Sequence, residues 1–503
     1  MGSSLLLLLT ARHLPGKKAI QSSLLLLLLH LLVHTGASLR LLVAGGGAAG
    51  IFAAIEAASG TPGDVEVVVL EQAKQPLGKV RISGGGRCNV MHNPAVPVSD
   101  IVLSYPRGSA QLRGPMTARF GPADAEAWFT DRGVELKVEP DGRVFPVTDS
   151  SSTIIDCLLQ SAAAAGVKLI KDAKVAGVTY SAIDSTFAVE AQFKTGNEIS
   201  PAGGASSISC DKVLLACGSS REGLRWAEAM GHTIEQPIPS LFTLKVQDSR
   251  LEGLEGVSVQ LVEIGLKPDP NAKTKGNFLL WLTVRAKGKG KGAGMLFTQR
   301  GPMLITHSGV SGPAALKLSA WGARYLFDAG YKGVVVVNWL GGGKKASRNA
   351  VLEDLKSLAK KAAGTYCPLQ VSQAMCGSDL MCRSQYEGEQ LPRRLWRALL
   401  GEKLATSRWS EIGNGRLGEL ADQLTRCELT VTGKGQFKDE FVTCGGVSLS
   451  EVEMDSGESK IVPGLYFAGE MLSIDGVTGG FNFQSAWTTG YSAGHHIRNI
   501  GAK

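Results

Sequence analysis

The first residues able to do chemistry are a glycine turn with a carboxylate placed after it. Gly45-x-Gly47-x-x-Gly50 follows a short apolar run, Leu39–Ala44, and opens an Ala-rich segment that runs without breakers to Ser59. A turn at Gly60–Asp64 and a β-branched run at Val65–Leu70 come next, and Glu71 closes that run 21 residues after Gly50. Strand, glycine turn, helix, strand and acid at that spacing make the dinucleotide fingerprint. Gly45 suits a tight turn, Gly47 lets backbone approach a pyrophosphate, and Gly50 lets helix and strand pack closely. Ala48 and Ala49 begin the helix whose free N–H groups attract the anion. Glu71 would accept bonds from a ribose hydroxyl. An ordinary βα turn could use the same glycines, but it would not need the acid.

Two further glycine-rich blocks carry polar residues. Ser83-Gly84-Gly85-Gly86-Arg87-Cys88-Asn89 allows backbone to lie against a flat ligand or phosphate. Arg87 is either a pyrophosphate partner or one half of a surface ion pair. Cys88 has no partner at redox-pair spacing; it is either a structural thiol or the candidate catalytic acid. Gly464–Glu470 reads as a strand ending in a carboxylate at a glycine turn, with Gly476–Gly480, Phe481 and Asn482 leading into the last helix. Gly341-Gly342-Gly343-Lys344 lacks P-loop spacing, and the eight histidines show no metal spacing, so no metal is expected.

The elements that must position these residues form an α/β chain. Strand-like runs are expected at Lys168–Ile170, Phe187–Phe193, Val213–Ala216, Leu241–Val246, Val257–Ile264, Phe278–Val284 and Val334–Trp339. Helical patterns lie around Ile154–Ala165, Leu352–Ala363, Leu391–Leu404 and Gln484–Ile497. Texture changes near Pro239 and again near Cys427. The expected division is a targeting segment at 1–38, a first part of a dinucleotide-binding α/β domain at 39–238, an inserted unit at 239–427 and the rest of the first domain at 428–503.

Composition narrows the classes. The chain has 503 residues, 44% hydrophobic and 19% charged, with 63 glycines and no Gly-X-Y period, so collagen is excluded. Nine cysteines without CxxC or zinc-type spacing argue against a zinc site and a disulfide scaffold, and most of the thiols are expected to be reduced and structural. The net charge of +8 includes Arg12, Lys17 and Lys18 of a leader that holds no acidic residue up to Ser38. Leu5–Leu9 and Leu24–Leu29 are too short for a bilayer span, so no stable membrane insertion is expected. The leader reads as an organellar transit peptide, chloroplast ahead of mitochondrion, with a secretory signal as the alternative.

Together these blocks resemble the YhiN/BaiN-like FAD-dependent oxidoreductases. The resemblance also rests on Gly142–Pro146, Phe297-Thr298, Thr306–Pro313 and Thr443–Val447, and it spans nearly everything from Leu39 onward. It implies a Rossmann-type FAD-binding domain assembled from both ends of the chain, with an inserted β-barrel-like and helical middle region. The implied cofactor-binding set is Gly45, Gly47, Ala48, Ala49, Gly50, Glu71, Lys79, Ser83, Gly84, Gly85, Gly86, Arg87, Cys88, Asn89, Gly218, Gly469, Glu470, Gly480, Phe481 and Asn482. Within it Glu71 holds the adenosine ribose, Gly84–Asn89 line the flavin and Glu470 faces the ribityl chain. Three departures stand out: Ala216-Cys217-Gly218-Ser219 replaces the usual Ala-Thr-Gly-Gly, the following Ser220–Trp226 segment is shorter and more charged than the family pattern, and Phe481 replaces a tyrosine.

The resemblance implies reduction of a carbonyl-conjugated C=C bond by hydride from reduced FAD. The substrate is a small enone or uridine in organellar large-subunit ribosomal RNA; a non-catalytic flavin-binding interaction protein is the further alternative. Lys267, Lys273, Lys275, Arg285, Lys287, Lys289 and Lys291 against Asp269 could hold RNA phosphates or form a solvated loop. NAD(P)H is the reductant expected of a reductase. With no second GxGxxG after a strand, either nicotinamide visits the flavin directly or another donor serves.

Overall fold

A computed structural model describes residues 38–197, 200, 203–268, 295–361, 391–435 and 442–502. Residues 1–37 of the leader and all of the basic loop beyond Lys267 and Pro268 lie outside the described residues, as does the strand expected at Phe278–Val284.

The N-terminal half starts as expected. β1 (Leu39–Ala44), α1 (Ala48–Ala58) and β2 (Val65–Leu70) form the βαβ unit, and α2 (Gly78–Gly86) follows with a kink at Ser83–Gly85. After the helix Ser151–Ala164 come β3 (Lys168–Ile170) and β4 (Ala173–Ser181). β4 is the edge of a three-stranded antiparallel sheet with Thr186–Phe193 and Gly204–Cys210. The alternation of buried Phe187, Val189, Ala191 and Phe193 with exposed neighbours is what a one-sided sheet requires. β5 (Lys212–Leu215) and α3 (Arg221–Ala229) complete this half.

The middle region is a closed antiparallel barrel. Its strands are β6 (Leu244–Val246), β7 (Ser258–Lys267), β8 (Phe297–Thr306), β9 (Gly309–Ser311), β10 (Gly333–Asn338) and β11 (Cys427–Lys434). The order around the barrel is β6-β9-β8-β7-β10-β11, with β11 returning to β6. Ile264, Leu266, Val335, Val337, Leu429 and Val431 fill it. α4 (Pro313–Trp321) packs on β8, and the helices Arg348–Lys361, Arg393–Ala405 and Asn414–Thr425 cover the outside. Because β11 closes the barrel, the middle unit runs past the boundary expected at 427. The glycine-punctuated texture there belongs to a barrel strand.

The last stretch returns to the first domain. β12 (Val452–Glu453), β13 (Glu458–Ser459) and β14 (Leu465–Phe467) extend the main sheet, whose order is β12-β13-β14-β5-β1-β2-β3. The run from β14 to β3 is all parallel. α5 (Phe481–Gly501) then lies against α1. Two glycines permit that closeness: a Cβ on Gly490 would sit 2.8 Å from the Ala49 carbonyl oxygen, and one on Gly494 2.3 Å from that of Ala53. Trp487 of α5 is fully buried against Phe52 and donates to the Val90 carbonyl at 2.9 Å. Burying such a ring is worth roughly 1.5–3 kcal/mol. The fold is thus a Rossmann-type domain built from both chain ends.

The two crossings between the units pair with each other: Ile234–Ser240 runs antiparallel to Val442–Val447. Beside that ribbon, Arg107 makes a two-pronged bond to the fully buried Asp475 and donates to the Ala320 carbonyl at 2.9 Å. Ser240 also donates to Asp475, at 2.9 Å. One buried ion pair therefore ties the C-terminal loop, the ribbon and α4 together.

Candidate functional site

The C-terminal ends of β1, β2, β5 and β14 open into one cavity of about 990 Å³. That is the crevice where ligands bind in an open parallel sheet. The glycine turn forms its floor. Gly45 has φ +111° and donates to the Leu70 carbonyl at 2.9 Å; a Cβ there would lie 2.6 Å from the Ala216 oxygen. A Cβ on Gly50 would lie 2.0 Å from the Gly45 oxygen, whereas one on Gly47 would meet nothing within 4 Å. Gly50 is therefore a packing residue outside the cavity wall, and Gly47 is bare backbone facing the cavity. α1 starts without a side-chain cap and without an acid in its first turn, which leaves its N-terminal N–H groups for an anion.

Glu71 stands at the end of β2 as expected. Its Oε2 accepts the Gly46 N–H at 2.7 Å and its Oε1 the Ala73 N–H at 2.8 Å. These bonds fix the carboxylate on the cavity wall with lone pairs to spare for hydroxyls. Lys79 and Glu470 both line the cavity and pair with each other across it, joining α2 to the turn after β14. Gly218, with φ +63°, lies beside that carboxylate.

The Ser83–Asn89 loop is only partly where the sequence put it. Ser83, Gly84, Gly85 and Asn89 line the cavity. Asn89, with its amide oriented to satisfy both neighbours, donates to the Met91 carbonyl at 3.1 Å and accepts the Gly480 N–H at 2.8 Å. It thereby ties this loop to the C-terminal glycine block. Gly86, Arg87 and Cys88 are not on the wall. Three successive glycines and Cys88, all with φ between +57° and +87°, turn the chain so that Arg87 points away. Arg87 pairs with Glu139 at 2.7 Å and Asp149 at 3.3 Å and sits 3.9 Å from the centre of the Phe145 ring. The ion-pair alternative is the one the structure shows. Cys88 is fully buried, and burial pushes its thiol up to about 12. Neither its place nor its acidity suits a proton donor to a ligand in the cavity.

The C-terminal block divides in the same way. Gly469, Glu470, Gly480 and Asn482 line the cavity, while Phe481 is buried behind it, stacked on His92 at 4.6 Å. The Asn482 amide is spent on the Gly476 N–H and carbonyl, both at 2.8 Å, so it shapes the loop. The substituted Cys217 lines the wall and donates to the Ala44 carbonyl at 3.3 Å, taking over the hydrogen-bonding role a threonine could play.

Sequence reasoning missed both ends of the cavity. Near Glu71 the wall includes Lys174, Glu222 and Trp226. At the other end it includes Leu241, Leu316, Val442, Thr443, Val477 and Thr478. Of these, Thr443 sits in a motif that supported the resemblance, Val477 and Thr478 lie within the Gly476–Gly480 block, Leu316 follows the Ser-Gly-Pro block, and Glu222 and Trp226 lie in the segment that departs from the family pattern; Lys174, Leu241 and Val442 carried no signal as site residues.

These residues fit FAD. The open Gly47, the uncapped helix start, the bare Gly85 and the carboxylate of Glu71 supply an anion site, a flat backbone surface and a ribose acceptor along one cavity. Comparisons with known proteins agree. Residues 39–496 match the family described as HI0933-like protein Rossmann domain. The chain is 28% identical over 469 residues to the 3-dehydro-bile acid delta(4,6)-reductase of Clostridium scindens, covering 90% of this chain and 98% of that one. It is 24% identical over 470 residues to the ribosomal RNA dihydrouridine synthase of Escherichia coli, covering 91% and 97%. The enzyme of the same name from Haemophilus influenzae is 23% identical over 459 residues, covering 90% and 96%.

Proposed function

The chain belongs to the HI0933-like Rossmann-domain family of FAD-dependent oxidoreductases, and on that premise we propose that it reduces a carbon–carbon double bond conjugated to a carbonyl. The observation that carries the reading is the far end of the cavity. There Leu241, Leu316, Val442 and Val477 make an apolar wall, beside the bare glycines of the Ser83–Asn89 and Gly476–Gly480 loops. Such a wall suits a planar, weakly polar substrate lying on a flat cofactor.

Bound and reduced, FAD supplies a hydride from N5. The chain supplies position and charge. Gly47 and the α1 N-terminus would hold the pyrophosphate, Glu71 would hold the ribose, and the Lys79–Glu470 pair would border the ribityl chain. Thr443 and Thr478 supply hydroxyls to the cavity lining, and they would donate to a substrate carbonyl as negative charge develops on its oxygen. A 3-keto-4-ene steroid incubated anaerobically with the flavin-loaded protein and a chemical reductant should gain two hydrogens across the double bond, read by mass spectrometry. Recovery of unchanged enone would overturn the reading for small substrates.

The two dihydrouridine synthases among its relatives favour a second substrate. Uracil presents the same group, a C=C bond conjugated to a carbonyl, so one site chemistry serves both. Dihydrouridine maps of organellar large-subunit ribosomal RNA, from cells with and without the protein, separate them: loss of a site assigns the RNA, and an unchanged map leaves the small enone. NAD(P)H is the proposed reductant, tested by anaerobic bleaching of bound flavin; no bleaching points to another donor. The acid-free leader is proposed to direct the chain to the chloroplast ahead of the mitochondrion. A fluorescent fusion of residues 1–38 checks this, and secretion of the fusion would contradict it.

Among the described residues no helix is long and apolar enough to cross a membrane.

A further inference from the structure

The cavity end nearest Glu71 holds an aromatic residue that nothing above uses. Trp226 lies on α3, half-buried, with part of its surface lining the cavity. Among the described residues its ring stacks on no other aromatic and its indole N–H has no hydrogen-bond partner. Glu222, one helical turn earlier, shares that face of α3 and also lines the cavity. Ser220 caps the helix by accepting the Gly223 N–H at 3.3 Å, which fixes where this face starts. Opposite, Lys174 of β4 pairs with Glu222 at 3.2 Å. β4 is held to the Glu71 position by the bond from the Ala173 N–H to the Glu71 carbonyl at 2.9 Å. The group of three therefore stands beside the ribose acceptor.

The direction of the ligand follows. The pyrophosphate belongs at Gly47 and the α1 N-terminus, and the ribose at Glu71. The base must leave the ribose on the side away from the pyrophosphate, toward Trp226. We infer that Trp226 is the platform on which the adenine ring of FAD stacks, with the Lys174–Glu222 pair closing that end, so that this tryptophan makes the site select FAD over FMN. The inference rests on the FAD reading of the cavity. An exposed ion pair contributes little on its own. The stacking surface is the larger effect, since a base stacked on an aromatic side chain is worth roughly 1–3 kcal/mol, about five- to hundredfold in affinity.

The test is calorimetric titration of the full-length chain, stripped of flavin, with FAD, ADP and FMN. Trp226→Ala should weaken FAD and ADP by the same factor, about five- to hundredfold, and leave FMN unchanged. Trp226→Phe should recover most of the loss. Trp226→Leu keeps apolar packing without an aromatic face and should behave as Trp226→Ala at an unchanged Tm. Quenching of indole fluorescence by ADP in the parent, absent in Trp226→Phe, gives a readout independent of affinity. Parent-like ADP binding by Trp226→Leu would overturn the inference, as would an equal loss of FMN binding. A parent chain that binds neither FAD nor ADP would instead remove the reading beneath it.

Discussion

The two ends of the cavity are built by different rules. The adenosine end comes from consecutive chain: strand, turn, helix and strand within Leu39–Glu71, where each glycine has a local steric reason and Glu71 is held by backbone only 25 residues away. The substrate end is assembled from distant pieces. Thr443 comes from one of the two crossing segments and Leu241 directly follows the other, Leu316 comes from the barrel's α4, and Thr478 from the loop before α5. One end is a local motif, and the other exists only once the barrel is docked.

Breaking the docking gives the largest expected effect. Arg107→Ala strands the fully buried Asp475 without its partner, which costs about 3–5 kcal/mol. Thermal unfolding should fall sharply and turnover should vanish before FAD binding does, because the glycine turn does not depend on α4. Equal loss of both would mean the two ends are not separable. Breaking the other end acts on the cofactor directly. Glu71→Ala removes two charge-assisted backbone bonds and the ribose acceptor. A ribose hydroxyl's bond to the carboxylate is worth about 1.5–3 kcal/mol, so FAD affinity should drop roughly ten- to hundredfold in a flavin titration, with the barrel intact.

Sharpening the comparison needs smaller changes. Leu316→Asn should leave FAD affinity unchanged and raise KM for an enone about tenfold, or roughly 1.4 kcal/mol, the scale expected when a polar side chain replaces an apolar one against the substrate. A change in FAD affinity would place Leu316 at the cofactor instead. Cys88 tests the loop. The folded protein keeps its thiol protonated from the ordinary 9.0 up to about 12, while the unfolded chain ionises near 9.0. The unfolded state then binds fewer protons, so stability is unaffected below pH 9 and falls as pH rises above it, by at most about 1.4 kcal/mol per pH unit from this group. Cys88→Ser should flatten that part of the stability–pH curve and leave turnover intact. Loss of turnover would return Cys88 to the reaction.

What can be read from the sequence follows the same division. Gly45, Gly50 and Glu71 are legible because short-range sterics alone decide them. The loop Ser83–Asn89 is legible as a loop but not by residue. Spacing does not tell which way a side chain points after three left-handed glycines, so Arg87 and Cys88 look equivalent to Asn89, which alone of the three reaches the cavity. Phe481 is misplaced for a similar reason, its ring being claimed by His92 and Tyr105 behind the wall. β11 looks like a return to the first domain because its barrel partners, β10 and β6, lie far away in the chain. Trp226 lies in a segment that stands out only as a departure, and Leu316 only follows a motif: each needs the tertiary fold to aim it.

The central claim is that one cavity holds FAD along its glycine-turn end and a conjugated double bond at its apolar end. The most direct test is anaerobic photoreduction of the flavin-loaded full-length chain, followed by rapid mixing with a 3-keto-4-ene steroid or with unmodified large-subunit ribosomal RNA. The account predicts recovery of oxidised-flavin absorbance at a rate that saturates with one of these acceptors, and none with the corresponding saturated ketone or dihydrouridine-containing RNA. Flavin that stays reduced with both acceptors would contradict it.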